Sequence, residues 1–267
     1  MRLKIIFDND EKEIFVDQEY RRYFLSFLKN IFASTEIYLD LYSKKAVKPF
    51  TFSVFLGRDV EISDEKDRIK ITLPIELLFS TGDFEIFSYF YNSVLDFKKE
   101  ERELNLSSHF LKIKETQILK NIKITSSSGI FKTLGITILT NPFSSAKDFN
   151  NWFITPHTDL ENFNKILEKR TIEKYERIKG KKIDTKLIFT PITEKELEIF
   201  IRQGKIGLGF TAPIKEVIVK HYSGYLKGFK GIFYLESHPE ILQFIYDYGL
   251  GVRTGQGFGM VDLIAQI

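Results

Sequence analysis

The sequence predicts an α+β protein made of two tandem ferredoxin-like (βαββαβ) units. Short β-prone runs alternate apolar and polar residues, and between them apolar residues recur at helical spacing. The order strand, helix, strand, strand, helix, strand can be read twice along the 267 residues.

In the first half, Arg2 to Phe7 is short, apolar and β-prone. Tyr20, Tyr23, Phe24, Phe27, Leu28 and Ile31 then fall on one helical face. Lys48 to Leu56 alternates as a strand does, and Arg68 to Ile75 does the same after an acidic turn. Phe84, Phe87, Tyr91, Val94 and Leu95 mark a second amphipathic helix, and Phe110 to Leu119 is extended.

The second half repeats the architecture without repeating the sequence. Phe131 to Leu139 reads as a strand, Leu160 to Lys179 as a long helix and Lys186 to Thr190 as a second strand. Pro213 to Tyr222 and Tyr225 to Glu236 read as a hairpin across Ser223-Gly224. A helix from Pro239 to Tyr248 follows, with proline suited to its first turn, and Phe258 to Ile264 closes the sheet. The expected division is an N-terminal domain at 1–122 and a C-terminal domain at 123–267.

Composition narrows the function. A hydrophobic content of 43% supports a substantial core, and a net charge of +3 fits a polyanionic partner without demanding one. With no cysteine, disulfides, thiolate metal sites and a cysteine nucleophile are excluded. The N-terminus has no signal-peptide apolar core, and no run approaches a membrane span, so a cytoplasmic protein is expected.

The stretch GLGVRTGQGFG, Gly249 to Gly259, holds five glycines in eleven residues. Dinucleotide and P-loop motifs place their glycines between a strand and a following helix. Here the helix comes first and a strand follows, so the nucleotide reading fails on topology. Gly249 suits a helix C-terminus. Gly255, Gly257 and Gly259, at alternate positions, suggest a side-chain-free backbone surface, interleaved by Arg253, Thr254 and Gln256. That composition suits a ribose-phosphate chain.

GLGVRTGQGFGMVDL resembles the C-terminal glycine-rich loop of the RAMP superfamily of CRISPR-associated proteins, and most of all its crRNA-processing endoribonucleases. KPFTFS at Lys48 to Ser53, FKTLG at Phe131 to Gly135 and the stretch from Tyr225 to Gly259 are similar to that family in the same order. The resemblance spans nearly the whole chain. It implies two ferredoxin-like units and no metal or cofactor. The implied partners are CRISPR repeat RNA, precursor crRNA and a CRISPR effector complex, for a monomer or homodimer away from membranes.

The implied chemistry is attack of a 2′-hydroxyl on the adjacent phosphate, leaving a 2′,3′-cyclic phosphate and a 5′-hydroxyl. Such a reaction needs a base, an acid and positive charge on the phosphorane. Many family members carry a histidine just before the KPFTFS-like strand, a tyrosine in the first helix and a nearby lysine. This chain departs from that pattern, because its histidines are His109, His157, His221 and His238. The histidine position falls at Tyr42 or Ser43, and the tyrosine position near Lys29, with Tyr23 and Tyr38 the nearest phenols.

The expected catalytic residues are therefore Tyr42, Lys45 and Lys29. RNA-binding residues are expected at Tyr38, Lys44, Lys48, Lys220, Lys227, Lys230, Gly251, Arg253, Thr254, Gly255, Gln256 and Gly257. Tyrosine and lysine, with pKa values near ~10, are weak bases at neutral pH, so a slow enzyme with a tight product complex is expected. The missing histidine keeps open an RNA-binding module without cleavage, and a structural subunit of an effector complex is a third reading. A further basic set, including Lys165, Lys169, Arg170 and Lys174, lies on the long second-half helix beside glutamates. Part of it is expected to be ordinary surface pairing.

Overall fold

The computed structural model describes residues 1–42, 47–57, 59–63, 67–204, 214–222 and 224–267. Two compact units organise them. The first comprises Met1–Asn121 together with Lys220–Tyr225 and Gly255–Gly257. The second comprises Ile122–Val219, Leu226–Thr254 and Phe258–Ile267.

The first unit runs through β1 (Arg2–Asp8), β2 (Glu13–Asp17), α1 (Arg21–Phe32), α2 (Tyr38–Tyr42), β3 (Thr51–Phe55), β4 (Val60–Ile62) and β5 (Arg68–Thr72). It continues through β6 (Ile75–Ser80), α3 (Phe84–Lys99), β7 (Glu103–Leu106) and β8 (His109–Leu119). Its main sheet has the order β3-β6-β1-β8-β7, and β1 is antiparallel to both β6 and β8. Leaving aside the edge strand β7, this is the ferredoxin-like order. Aromatic residues fill its core, with Phe7 edge-on to Phe24 and Phe27 at 6.0 and 5.2 Å. Phe79 stacks on Phe90 at 3.9 Å.

One strand assignment is corrected. Arg68–Thr72 alternates as expected, but it pairs with β2 and β4 in a separate three-stranded sheet. The strand beside β1 is Ile75–Ser80. Leu77 and Phe79 of β6 are wholly buried, which explains why the longer apolar run takes the central place.

The second unit begins with β9 (Ser128–Thr133), α4 (Phe149–Trp152), α5 (Leu160–Lys179), β10 (Ile188–Pro191) and α6 (Glu194–Arg202). After these come β11 (Lys215–His221), β12 (Gly224–Lys230), β13 (Ile232–Glu236), α7 (Pro239–Tyr248) and β14 (Val261–Gln266). The sheet order β10-β13-β9-β14 is ferredoxin-like again. The hairpin is shorter than expected. β12 ends at Lys230 and forms a two-stranded sheet with β11, and after Gly231 the chain enters the main sheet as β13. The strand expected over Phe131 to Leu139 likewise stops at Thr133, and Thr137 and Ile138 make isolated bridges to Phe229 and Val252.

Helix boundaries follow local chemistry. The Asp83 and Asp159 carboxylates accept from the Ile86 and Asn162 amides and so start α3 and α5. Thr193 and Glu196 form a reciprocal capping box on α6. Gly180, at φ 68°, ends α5, and Pro239 opens α7.

Candidate RNA-binding and cleavage site

The glycine-rich loop follows α7, whose last turn is closed by the Gly249 amide donating to the Ile245 carbonyl. Protein atoms occupy the space beside its glycines. In the second unit, a Cβ on Gly251 would lie 2.3 Å from the Ile138 carbonyl oxygen, and one on Gly259 would lie 2.0 Å from that of Leu250. In the first unit, a Cβ on Gly255 would lie 2.5 Å from Lys48 Cβ. Gly257 has φ +83°, and a Cβ there would meet the Phe52 ring at 2.9 Å and Arg21 Cδ at 3.6 Å. These four glycines are buried, so their missing side chains serve close packing of the loop.

Between the glycines the side chains diverge. Arg253 is exposed and sits at φ 59°, a left-handed conformation that costs energy in any residue carrying a Cβ. Thr254 is 4% exposed, and its hydroxyl accepts a hydrogen bond from Lys174 at 2.9 Å. Gln256 is half-buried, with its Oε1 3.3 Å from His221 Nε2.

The phenol and amine cluster lies in the first unit. Tyr38 and Tyr42, one turn apart on α2, have ring centroids 5.2 Å apart, and Tyr42 also leans on Phe32 at 6.5 Å. Lys48 Nζ donates to the Leu41 carbonyl and rests 3.8 Å from the Tyr42 ring centroid. Lys29 is exposed in the last turn of α1. Burial, with a smaller contribution from Tyr38, pushes the Tyr42 phenol well above the usual tyrosine range. Burial and then the Lys29 charge push the Lys48 amine down. Lys44 and Lys45 lie outside the described residues.

The hairpin lysines have partners or are spread apart. Lys220 pairs with Asp67 at 2.8 Å, and the carboxylate holds its amine above the usual range. Lys227 is 8% exposed, with Nζ 3.8 Å from Glu216, and Lys230 is exposed. The structure thus brings Tyr38, Tyr42, Lys48, Gly255 and Gly257 into the first unit with Gln256. It leaves Lys227, Lys230, Gly251, Arg253 and Thr254 in the second.

Sequence reading did not single out two buried cations, one in each unit. Arg21 is only 8% exposed, lies against the Gly257 position and stacks 4.7 Å over the Tyr20 ring. Lys174 is the other: it was read only within the basic set of the long helix, although spacing could have set it apart. It follows Phe163, Leu167 and Thr171 at intervals of four, four and three, on the buried face of α5.

The remaining histidines make local contacts. His109 meets Glu11 at 2.9 Å, His157 meets the Ile214 carbonyl at 2.8 Å, and His238 accepts from the Glu240 amide. Among the described residues, no group of three His, Asp or Glu side chains converges as metal ligands do. No described helix is long and apolar enough to cross a membrane.

Two ferredoxin-like units with this C-terminal loop define a RAMP-type protein. A solved structure described as a RAMP protein binding different RNA substrates shares the fold at TM-score 0.73 and 21% identity, over 98% of this chain and 99% of that one. A Cas6-related protein from Pyrococcus furiosus matches at TM-score 0.71 and 23% identity, over 98% of both chains. Residues 119–263 match the family model for the C-terminal part of CRISPR-associated protein Cas6, and the chain belongs to that family. It is 24% identical over 216 residues to the CRISPR-associated endoribonuclease-like protein Cas6nc of Pyrococcus horikoshii, covering 80% of this chain and 79% of that protein.

Proposed function

We propose that this protein binds CRISPR repeat RNA and processes precursor crRNA by metal-independent attack of a 2′-hydroxyl on the adjacent phosphate. The products are a 2′,3′-cyclic phosphate and a 5′-hydroxyl. The observation that carries the reading is the packing of Gly255 against the Lys48 stem, which sets Gly255–Gly257 of the glycine-rich loop beside the Tyr42–Lys48 pair within the first unit. Family membership supports the substrate class.

The residues suit unequal roles. A phenol whose ionisation is suppressed by burial is a hydrogen-bond and proton donor, so Tyr42 faces the leaving 5′-oxygen. Lys48, its amine weakened by burial and by Lys29, is the better acceptor for the 2′-hydroxyl proton. Lys29 adds positive charge for the phosphorane. Without an imidazole, most of the acceleration comes from holding the 2′-oxygen, phosphorus and 5′-oxygen in line.

A second reading, RNA binding without cleavage, is favoured by one observation. By the resemblance, the histidine of many family members falls at Tyr42 or Ser43, neither of which is an imidazole, and burial moves the Tyr42 phenol away from base function. End-labelled repeat RNA incubated with the protein in EDTA decides between them. Cleavage to a cyclic phosphate end, abolished by a deoxy substitution just 5′ of the cut, supports processing. A stable complex with intact RNA supports the binding module. Loss of cleavage on adding EDTA would overturn the proposed mechanism.

A further inference from the structure

Lysine is rarely buried without a counter-charge, because its ammonium loses hydration that only paired or hydrogen-bonding groups replace. Lys174, in the middle of α5, is 8% exposed. Its Nζ donates to the Tyr248 carbonyl at 2.6 Å, the Gly249 carbonyl at 3.0 Å and the Thr254 hydroxyl at 2.9 Å. The Phe244 ring lies 5.8 Å away. Among the described residues, no carboxylate forms an ion pair with it.

The acceptors fall in two places. Tyr248 and Gly249 end α7, where carbonyls lack intrahelical partners and the helix dipole is negative. Thr254 opens the short 3-10 turn Thr254–Gln256, five residues further on. A methionine or leucine at this position would fill the buried face of α5 and make none of these bonds. The amine instead ties both ends of the segment from 249 to 254 to one point, which closes it into a fixed bend. The Thr254 hydroxyl faces this amine, so its part in RNA binding is indirect.

We infer that Lys174 is a positioning residue for RNA recognition, setting the glycine-rich loop in the shape that repeat RNA meets. The inference rests on the proposal that this loop contacts RNA. Preformed geometry raises affinity by sparing the loop its ordering cost on binding. Lys174 touches no phosphate in this role. Its loss therefore lowers affinity without changing the number of counterions released.

The test measures repeat-RNA affinity for full-length wild type, Arg253→Ala, Lys174→Met and Thr254→Val across a salt series, at a temperature where all are folded. Lys174→Met is expected to bind about tenfold or more weakly, and Thr254→Val several-fold more weakly, both with the wild-type slope of log affinity against log salt. Arg253→Ala should bind weakly with a slope smaller by about one. Wild-type affinity in Arg253→Ala would remove the loop from RNA recognition, and with it the reading on which the inference rests. Weak binding by Arg253→Ala alongside wild-type affinity in Lys174→Met and Thr254→Val would overturn the inference alone. So would a reduced salt slope in Lys174→Met. If Lys174→Met does not fold, Thr254→Val decides.

Discussion

The aliphatic stem of Lys48 fills the space that a side chain at position 255 would take, 2.5 Å from an ideal Cβ there. Glycine at 255 is thus required by one lysine, and that same lysine rests on the Tyr42 ring. Gly255 and the candidate chemistry are one packing problem.

Gly255→Ala should destabilise the protein by about 1–3 kcal/mol, because the methyl meets the near end of Lys48, which cannot swing away. Gly255 has no positive φ, so the cost comes from overpacking alone. In Lys48→Gly, which removes the Cβ and Cγ that a methyl at 255 would meet, the same substitution should be nearly free. A double-mutant cycle by thermal melting checks the coupling, and simple additivity would contradict the packing. Gly257→Val is a poor probe of binding, since φ +83° and the Phe52 ring make it a folding variant.

Arg253 carries its charge on a left-handed backbone. In Arg253→Gly, relief of about 1 kcal/mol of strain roughly offsets the entropy glycine adds to the unfolded chain. Melting should stay within about 1 kcal/mol of wild type while RNA affinity falls. Retained affinity would exclude Arg253 from the interface.

Burial brings the Lys174 amine down to about 7, against about 10.4 in an unfolded chain. Between those values the unfolded state holds a proton that the folded state has released, so stability rises with pH. From about pH 7 to about pH 10, wild type should gain stability relative to Lys174→Met, and below that window the difference should level off. Parallel melting curves across the range would show that the amine keeps its proton when folded.

Tyr42 behaves in the opposite sense. Its folded-state pKa is raised, so its contribution is intact below about pH 10, where an unfolded tyrosine ionises, and is lost as pH climbs beyond that. Tyr42→Phe should track wild type to about pH 10 and then resist alkaline unfolding better. Identical alkaline transitions would mean that the phenol is solvated.

Replacing the phenol with an imidazole supplies a proton carrier of suitable pKa beside Lys48. Tyr42→His should raise the cleavage rate about 10²-fold or more, with a pH–rate rise near about 6.5. An unchanged rate with normal RNA binding would place the scissile phosphate elsewhere.

Much of the architecture was legible because its causes are local. Asp159 and Gly180 delimit α5, and His238, Pro239 and Gly249 delimit α7, through capping groups within a turn of the bonds they satisfy. The repeated element order followed from apolar periodicity. Which segment sits beside β1 was not legible, since Arg68 to Ile75 read as that strand and only the pairing shows that Ile75–Ser80 takes the place.

By itself the sequence determined the two-unit α+β plan, the absence of thiol chemistry and the family to which the glycine-rich loop belongs. Only the tertiary structure decided what those glycines face. Gly255 looks onto Lys48 and Gly259 onto the Leu250 carbonyl, and Lys174 is turned inward to hold Thr254. A glycine's spacing reports that a side chain is excluded, but the atom that excludes it lies far away in the chain. A lysine's charge favours solvent until enough acceptors converge on it, and that convergence exists only in the folded protein.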